Sequence, residues 1–269
     1  MHNSLHASGL VQDRWSWRGL TSCHLLALAL FASWLWPPGR QLWDSFDRHL
    51  FALLNAPLAT STSWAYLWGV ASMRLADLVL GLLMLGFLLK GNWIFTGAQV
   101  RSALYAFLSV LFLLLLIRSI LFSEVVRIMH WQHDGPSLVV DGAVRLSTLF
   151  PDWAEHWSMK DSSRRSFPGD HASVLLLWAM FLWPFASGRQ RLLIGFLSVI
   201  VLLPRLVSGA HWGSDVFVGG MFLGLVSFGW GFYTPYAAKA STLLERLSAP
   251  VLQRLAKFPG LRRISLISG

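Results

Sequence analysis

Six long apolar runs dominate this chain: Leu20 to Trp36, Trp64 to Leu89, Ala103 to Phe122, Ala172 to Ala186, Leu192 to Ser208 and Val216 to Tyr233. A helix needs roughly 20 mostly apolar residues to cross the hydrocarbon core of a bilayer. Inside that core every backbone polar group must be satisfied within the protein, which favours helices. The expected fold is all-α, a polytopic membrane bundle of six transmembrane helices. Composition agrees: 55% of the 269 residues are hydrophobic and 13% charged, a balance that a single soluble domain could hardly hide from water. Trp34, Trp36, Trp64, Trp68, Trp183 and Trp230 lie near the ends of these runs, where indole rings favour the headgroup boundary. Arg14 and Arg18 precede a first run that lacks a small-residue cleavage site, so it reads as a retained helix and not as a removed signal.

The loops sort by charge. Arg14 and Arg18, Lys90 and Arg101, Arg189 and Arg191, and the tail from Lys239 to Arg263 fall on one side of the six runs. The positive-inside rule makes that side the cytoplasm and leaves both termini there. The expected localisation is a bacterial inner membrane, with the long connection 123–170 on the periplasmic face. Residues 1–237 read as one membrane catalytic domain and 238–269 as a basic tail. Leucines at helical spacing between Arg246, Arg254 and Lys257 suit a helix on the inner surface, and a disordered basic tail is the open alternative. The net charge of +9 is scattered between apolar segments and forms no stripe, which argues for anionic membrane lipid and against nucleic acid as a partner. Cys23 is the single cysteine, so an intrachain disulfide is excluded and a zinc or redox motif finds no support. No cofactor and no metal site is expected.

Two distant strings reach the same outer boundary. The first runs from Lys160 through Arg164, Arg165, Ser166, Phe167, Pro168, Gly169 and Asp170 to His171, at the start of the fourth run. The second runs from Pro204 and Arg205 to His211 and Asp215, between the fifth and sixth. A phosphoryl group in transfer spreads negative charge over its oxygens and is stabilised by fixed cations and amide donors. Lys160, Arg164 and Arg205 can supply the cations, with Arg165 as an alternative to Arg164. A helix starting near Gly169 would aim its amides at the same place, and Gly169 permits close backbone approach. With no metal-ligand cluster in view, a covalent route through histidine is expected: His211 as nucleophile, Asp215 one helical turn on to hold its ring, and His171 as general acid.

These strings resemble the second and third motifs of the type 2 phosphatidic acid phosphatase (PAP2) superfamily, which includes lipid phosphatases and vanadium haloperoxidases. The resemblance implies a PAP2-type helical bundle and the same assignment: His211 the nucleophile, His171 the proton donor to the leaving group, Asp215 the orienting acid, and Lys160, Arg164 and Arg205 the phosphate ligands. The chain departs from the family pattern where Gly169 replaces a serine, Asp170 a glycine and Pro204 a serine, and where the gap between Lys160 and Arg164 is shorter than usual. The whole combination is most similar to the family's lipid-to-lipid phosphotransferases. That likeness implies transfer of the terminal phosphate of undecaprenyl diphosphate, the donor, to the 1-phosphate of lipid A, the acceptor. A phosphatase acting on undecaprenyl diphosphate or a related lipid is the nearest rival. A transporter or lipid-binding protein of the same fold is a third reading, one that would predict broken motifs.

Other residues divide between functional and structural readings. Asp170 and Ser214 could cap helices. Arg74 and Asp77 could form a bundle-fixing ion pair or serve the site, since ionisable groups in spans are functional candidates by default. Arg118, Arg127, Arg145 and Arg165 could grip acceptor phosphates or merely reach the interface. His130, His133 and His156 lack a partner pattern and read as surface loop residues.

Overall fold

The computed structural model describes residues 10–258, 260 and 265–268. Arg262 and Arg263, the last basic residues of the expected tail, lie outside the described residues. The chain is all-helical, and its only β pairings among the described residues are isolated bridges, one joining Met73 to Met159. Among the described residues, nine longer helices frame the site: α1 Trp17–Leu35, α2 Pro37–Asn55, α3 Thr62–Ala71, α4 Arg74–Leu89, α5 Gly97–Ile128, α6 Asp170–Leu182, α7 Gly188–Val207, α8 Asp215–Phe232 and α9 Tyr236–Leu255.

Four of these, α1, α5, α7 and α8, are long and apolar enough to cross a membrane by length and composition. Helix α6 is apolar but only 13 residues long. The run from Trp64 to Leu89, expected as one span, is divided between α3 and α4. The break at Ser72 and Met73 receives the first phosphate string: the Lys160 amide donates to the Ser72 carbonyl at 2.9 Å. Helix α9 is ordered as a helix and packs on α5, where Ser102 donates to Glu245 at 2.7 Å and Tyr105 to Ser248 at 2.6 Å.

Helix α8 lies at the centre, against α1, α5 and α6. Leu177, Trp178 and Phe181 of α6, Leu223 of α8 and Val110 of α5 are buried there. Lipid tails are as apolar as leucine, so close packing more than water exclusion must hold such helices together. Gly231 of α8 shows how: a β-carbon there would lie 2.6 Å from the Val110 side chain. Leu25, Leu82, Phe112, Leu192, Phe196 and Val199 point outward and stay exposed, an apolar perimeter suited to acyl chains.

Helix α2 was not expected. Pro37 and Pro38 start it, where the missing amide costs nothing. One face exposes Leu42 and Leu53, and the other buries Asp47, Phe51 and Asn55. The connection 123–170 is therefore not alone in shaping the outer end of the bundle. Within α5, the wide π turn Ile117–Phe122 interrupts the α-helix around Arg118, a local irregularity common near functional sites.

Candidate active site

His211 sits in the tight connection between α7 and α8, which α2 holds. Just past the end of α7 stands Gly209, whose φ of +76° is the left-handed conformation that closes helices and favours glycine. A β-carbon there would also meet Phe51 at 2.7 Å and Ser137 at 2.8 Å. The Ala210 and His211 amides both turn back to the Arg205 carbonyl, at 3.0 and 3.2 Å. Asn55 clamps the same corner by donating to the carbonyls of Val144 and Val207, each at 2.9 Å, and by accepting from the Val144 amide at 2.8 Å. Asp47, 5% exposed, accepts from the amide of Ser214 at 2.7 Å and from its hydroxyl. Burial pushes the Asp47 carboxyl up to about 6, against the opposing pull of those Ser214 hydrogen bonds.

This framework fixes the nucleophile candidate. His211 Nδ1 is 2.9 Å from the Ser166 carbonyl and 3.7 Å from Asp215 Oδ2. Both are acceptors, so Nδ1 carries the proton and Nε2 is left for chemistry. Asp215, fully buried, accepts the Trp212 amide at 2.8 Å on Oδ2. His211 Nε2 faces Asp170 Oδ1 at 3.5 Å. The same oxygen is 2.9 Å from His171 Nδ1 and accepts the His171 amide at 2.9 Å. The Gly169 amide is committed to the Asp215 carbonyl at 3.0 Å, so the helix start offers fewer free amides than expected. A β-carbon at Gly169 would stand 3.0 Å from that carbonyl, which accounts for glycine where the family pattern has serine. Burial pulls the His211 ring down, but hydrogen bonds and charges from Asp170 and Asp215 outweigh it and raise the ring to about 9.

The expected cations divide. Arg205, 3% exposed, donates to the Lys160 carbonyl at 3.1 Å and pairs with Asp77. That pair corrects the reading of Arg74 with Asp77: the carboxylate turns to α7 because Arg205 is buried and needs a counter-charge more than exposed Arg74 does. Asp77 Oδ2 is also 3.9 Å from His171 Nε2. Arg164 and Arg165 are exposed. Among the described residues, Lys160, Arg164, Arg165 and Arg74 have no carboxylate within ion-pair distance. Arg118 lies 3.6 Å from Asp170 Oδ2.

A cavity of about 320 Å³ opens onto these groups, with Asp77, Arg118, Asp170 and His171 at its polar end and Leu80, Met84, Val174 and Val201 along its apolar part. Such a polar head on an apolar trough suits a phosphate carried by a hydrocarbon chain. Asp170, His171 and His211 each offer a ligand atom within 4.8 Å of the others, a donor set chemically able to hold a divalent ion such as zinc. Sequence reading expected no metal there, because it separates the two histidines by 40 residues.

His133 is the residue that sequence reading missed. It is no free surface residue: its ring Nε2 lies 3.0 Å from Asp215 Oδ1 and its carbonyl accepts the Ser166 amide at 2.9 Å. The partners are far along the chain, so no spacing could reveal them. His130 and His156 remain exposed.

Three comparisons bear on this site. The model of the PAP2 superfamily matches residues 145–240, which contain Lys160, His171, His211 and Asp215. Lipid A 1-diphosphate synthase of Escherichia coli (strain K12) is 29% identical over 228 residues, covering 83% of this chain and 90% of that protein. No solved structure matches.

Proposed function

Because residues 145–240 match the model of the PAP2 superfamily, we propose that this protein is a membrane enzyme that moves the terminal phosphate of undecaprenyl diphosphate to the 1-phosphate of lipid A through a phosphohistidine at His211. The observation that carries the reading is the orientation of His211 Nε2: its other ring nitrogen is engaged by Ser166, and Nε2, 3.5 Å from Asp170 Oδ1, is turned to the gap that Asp170 and His171 border. In the first step a P–N bond forms at Nε2 as the bond from phosphorus to the bridging oxygen breaks, and His171 gives the leaving undecaprenyl phosphate its proton. In the second step an oxygen of the acceptor phosphate attacks phosphorus and the P–N bond breaks. Lys160 and Arg164, without carboxylate partners, and Arg205, shared with Asp77, stabilise the oxygens in transit, with Arg165 and Arg74 as further cations at the rim.

The membrane arrangement follows the same reading. Helices α3 and α4 together make one interrupted span and α6 a short one, completing six with the four long helices. Lys90, Arg101, Arg189 and Arg191 occupy the connections opposite the site, which puts the termini in the cytoplasm and the site on the periplasmic face. Residues 1–237 form the catalytic unit and 238–269 a basic cytoplasmic tail. The apolar trough takes the donor chain.

The test is incubation of the purified enzyme with undecaprenyl diphosphate labelled in its terminal phosphate, with and without lipid A. Label in a lipid A diphosphate supports transfer. Label recovered only as free phosphate whichever lipid is added makes the enzyme a hydrolase and overturns the acceptor.

A further inference from the structure

We propose that His133 is a positioning residue for His211, holding the nucleophile from two sides: its ring anchors Asp215, and its backbone carbonyl anchors the Ser166 segment whose own carbonyl receives His211 Nδ1. The proposal rests on His211 being the phosphorus acceptor.

His133 Nδ1 lies 3.0 Å from the Trp131 carbonyl and Nε2 lies 3.0 Å from Asp215 Oδ1. A carbonyl and an ionised carboxylate only accept, so both contacts are made together when both ring nitrogens carry hydrogen, that is, as an imidazolium. Asp215 is 0% exposed, and a buried carboxylate left without a partner is costly. Its Oδ2 takes the Trp212 amide, which leaves Oδ1 to His133. Below the ring, the Ser166 amide and hydroxyl both donate to the His133 carbonyl, at 2.9 and 3.1 Å. One residue thus fixes both groups that flank His211 Nδ1.

The other charged groups near the His133 ring are Arg40, Asp44, Asp47 and Arg48 of α2 and Asp134 of its own loop. Burial pulls the His133 ring down and Arg40 adds to that pull, while Asp215 and the Trp131 carbonyl together outweigh both and raise it.

The experiment measures single-turnover labelling of the full-length enzyme by labelled undecaprenyl diphosphate across pH, with steady-state kcat and KM and melting temperature, for wild type, His133→Ala and His133→Gln. The alanine variant should slow labelling about 10- to 100-fold, the range known for removal of the outer partners that orient metal-ligating histidines, with little change in KM. The glutamine variant keeps an uncharged donor to Asp215 and should recover much of the plateau rate. The loss in the alanine variant should fall on kcat and on the labelling rate per folded molecule, because the groups proposed to bind substrate are untouched. An unchanged labelling rate in a folded His133→Ala enzyme overturns the proposal. So does rate loss that only tracks lost folded protein, which is the mark of a purely structural role. Should His133→Ala fail to fold, His133→Gln decides: recovery of most of the labelling rate per folded molecule supports the proposal, and a loss confined to KM overturns it. A wild type that is never labelled fails the reading of His211 itself, a different result from equal labelling of wild type and variant.

Discussion

Asp170 places its carboxylate 3.5 Å from Nε2 of His211, the atom proposed to meet phosphorus, and Arg118 waits 3.6 Å from its other oxygen. In the proposed reaction an anion thus stands beside the place that the donor phosphate would take, and the donor would have to turn Asp170 aside, toward Arg118. Removing that charge should admit anions more easily. Asp170→Asn is expected to lower the concentration of vanadate needed for half inhibition and to move the rising limb of the pH–rate profile to lower pH, since Asp170 helps keep His211 protonated. Vanadate inhibition that weakens in the variant contradicts this picture.

The elevated His211 value also sets a stability profile. The folded chain binds the His211 proton more tightly than the unfolded chain does, so this stabilisation is complete below about 6.5 and is lost as pH rises through about 9. Asp47, raised from 3.8 to about 6, acts in the same direction over its own lower window. The melting temperature of detergent-solubilised enzyme should fall between pH 6.5 and 9, and His211→Gln should flatten that fall. A melting temperature that rises across this window in the wild type rules the assignment out.

Asp47 tests the frame under the site. Asp47→Ala leaves the Ser214 amide without its buried partner and should cost about 1–3 kcal/mol, with activity falling because Ser214 precedes Asp215. Asp47→Asn keeps an acceptor for the amide and a donor to the hydroxyl, and should cost less. Denaturation in detergent with equal losses for both variants would show that the hydrogen bonds to Ser214 are not what matters.

How far the sequence reveals this site depends on the kind of interaction. The long apolar runs make helices legible, and the strings around His171 and His211 hold residues whose chemistry and order identify them. The division of the second run at Ser72 was hidden, because it depends on Lys160, almost ninety positions away, docking on the Ser72 carbonyl. Helix α2 was hidden because its mixed surface has no long apolar run. Asp77 looked like a partner for Arg74, three residues away, and instead serves Arg205 across the bundle. His133 had no local signature at all: its meaning lies entirely in contact with Asp215.

Orientation in the membrane has a direct chemical check. In a Cys23→Ser background, a cysteine at exposed Glu155 should react with an impermeant thiol reagent in intact spheroplasts, and one at exposed Ser187 should not. Ser137 lies in the same outer connection but is 6% exposed and would report poorly. Reaction at Ser187 without reaction at Glu155 would place the site in the cytoplasm.

The central claim is a phosphorus–nitrogen bond at His211. Mixing the enzyme with undecaprenyl diphosphate, quenching in alkali and mapping the phosphopeptides by mass spectrometry measures it directly. His171→Ala should sharpen the result: a donor with an acidic phenol leaving group needs little protonation, so it should still load His211, while discharge to lipid A slows and the acid-labile phosphoenzyme accumulates. The account predicts phosphate on the peptide carrying His211 and none in His211→Ala. Phosphate on His171, or full transfer by His211→Ala, would contradict it.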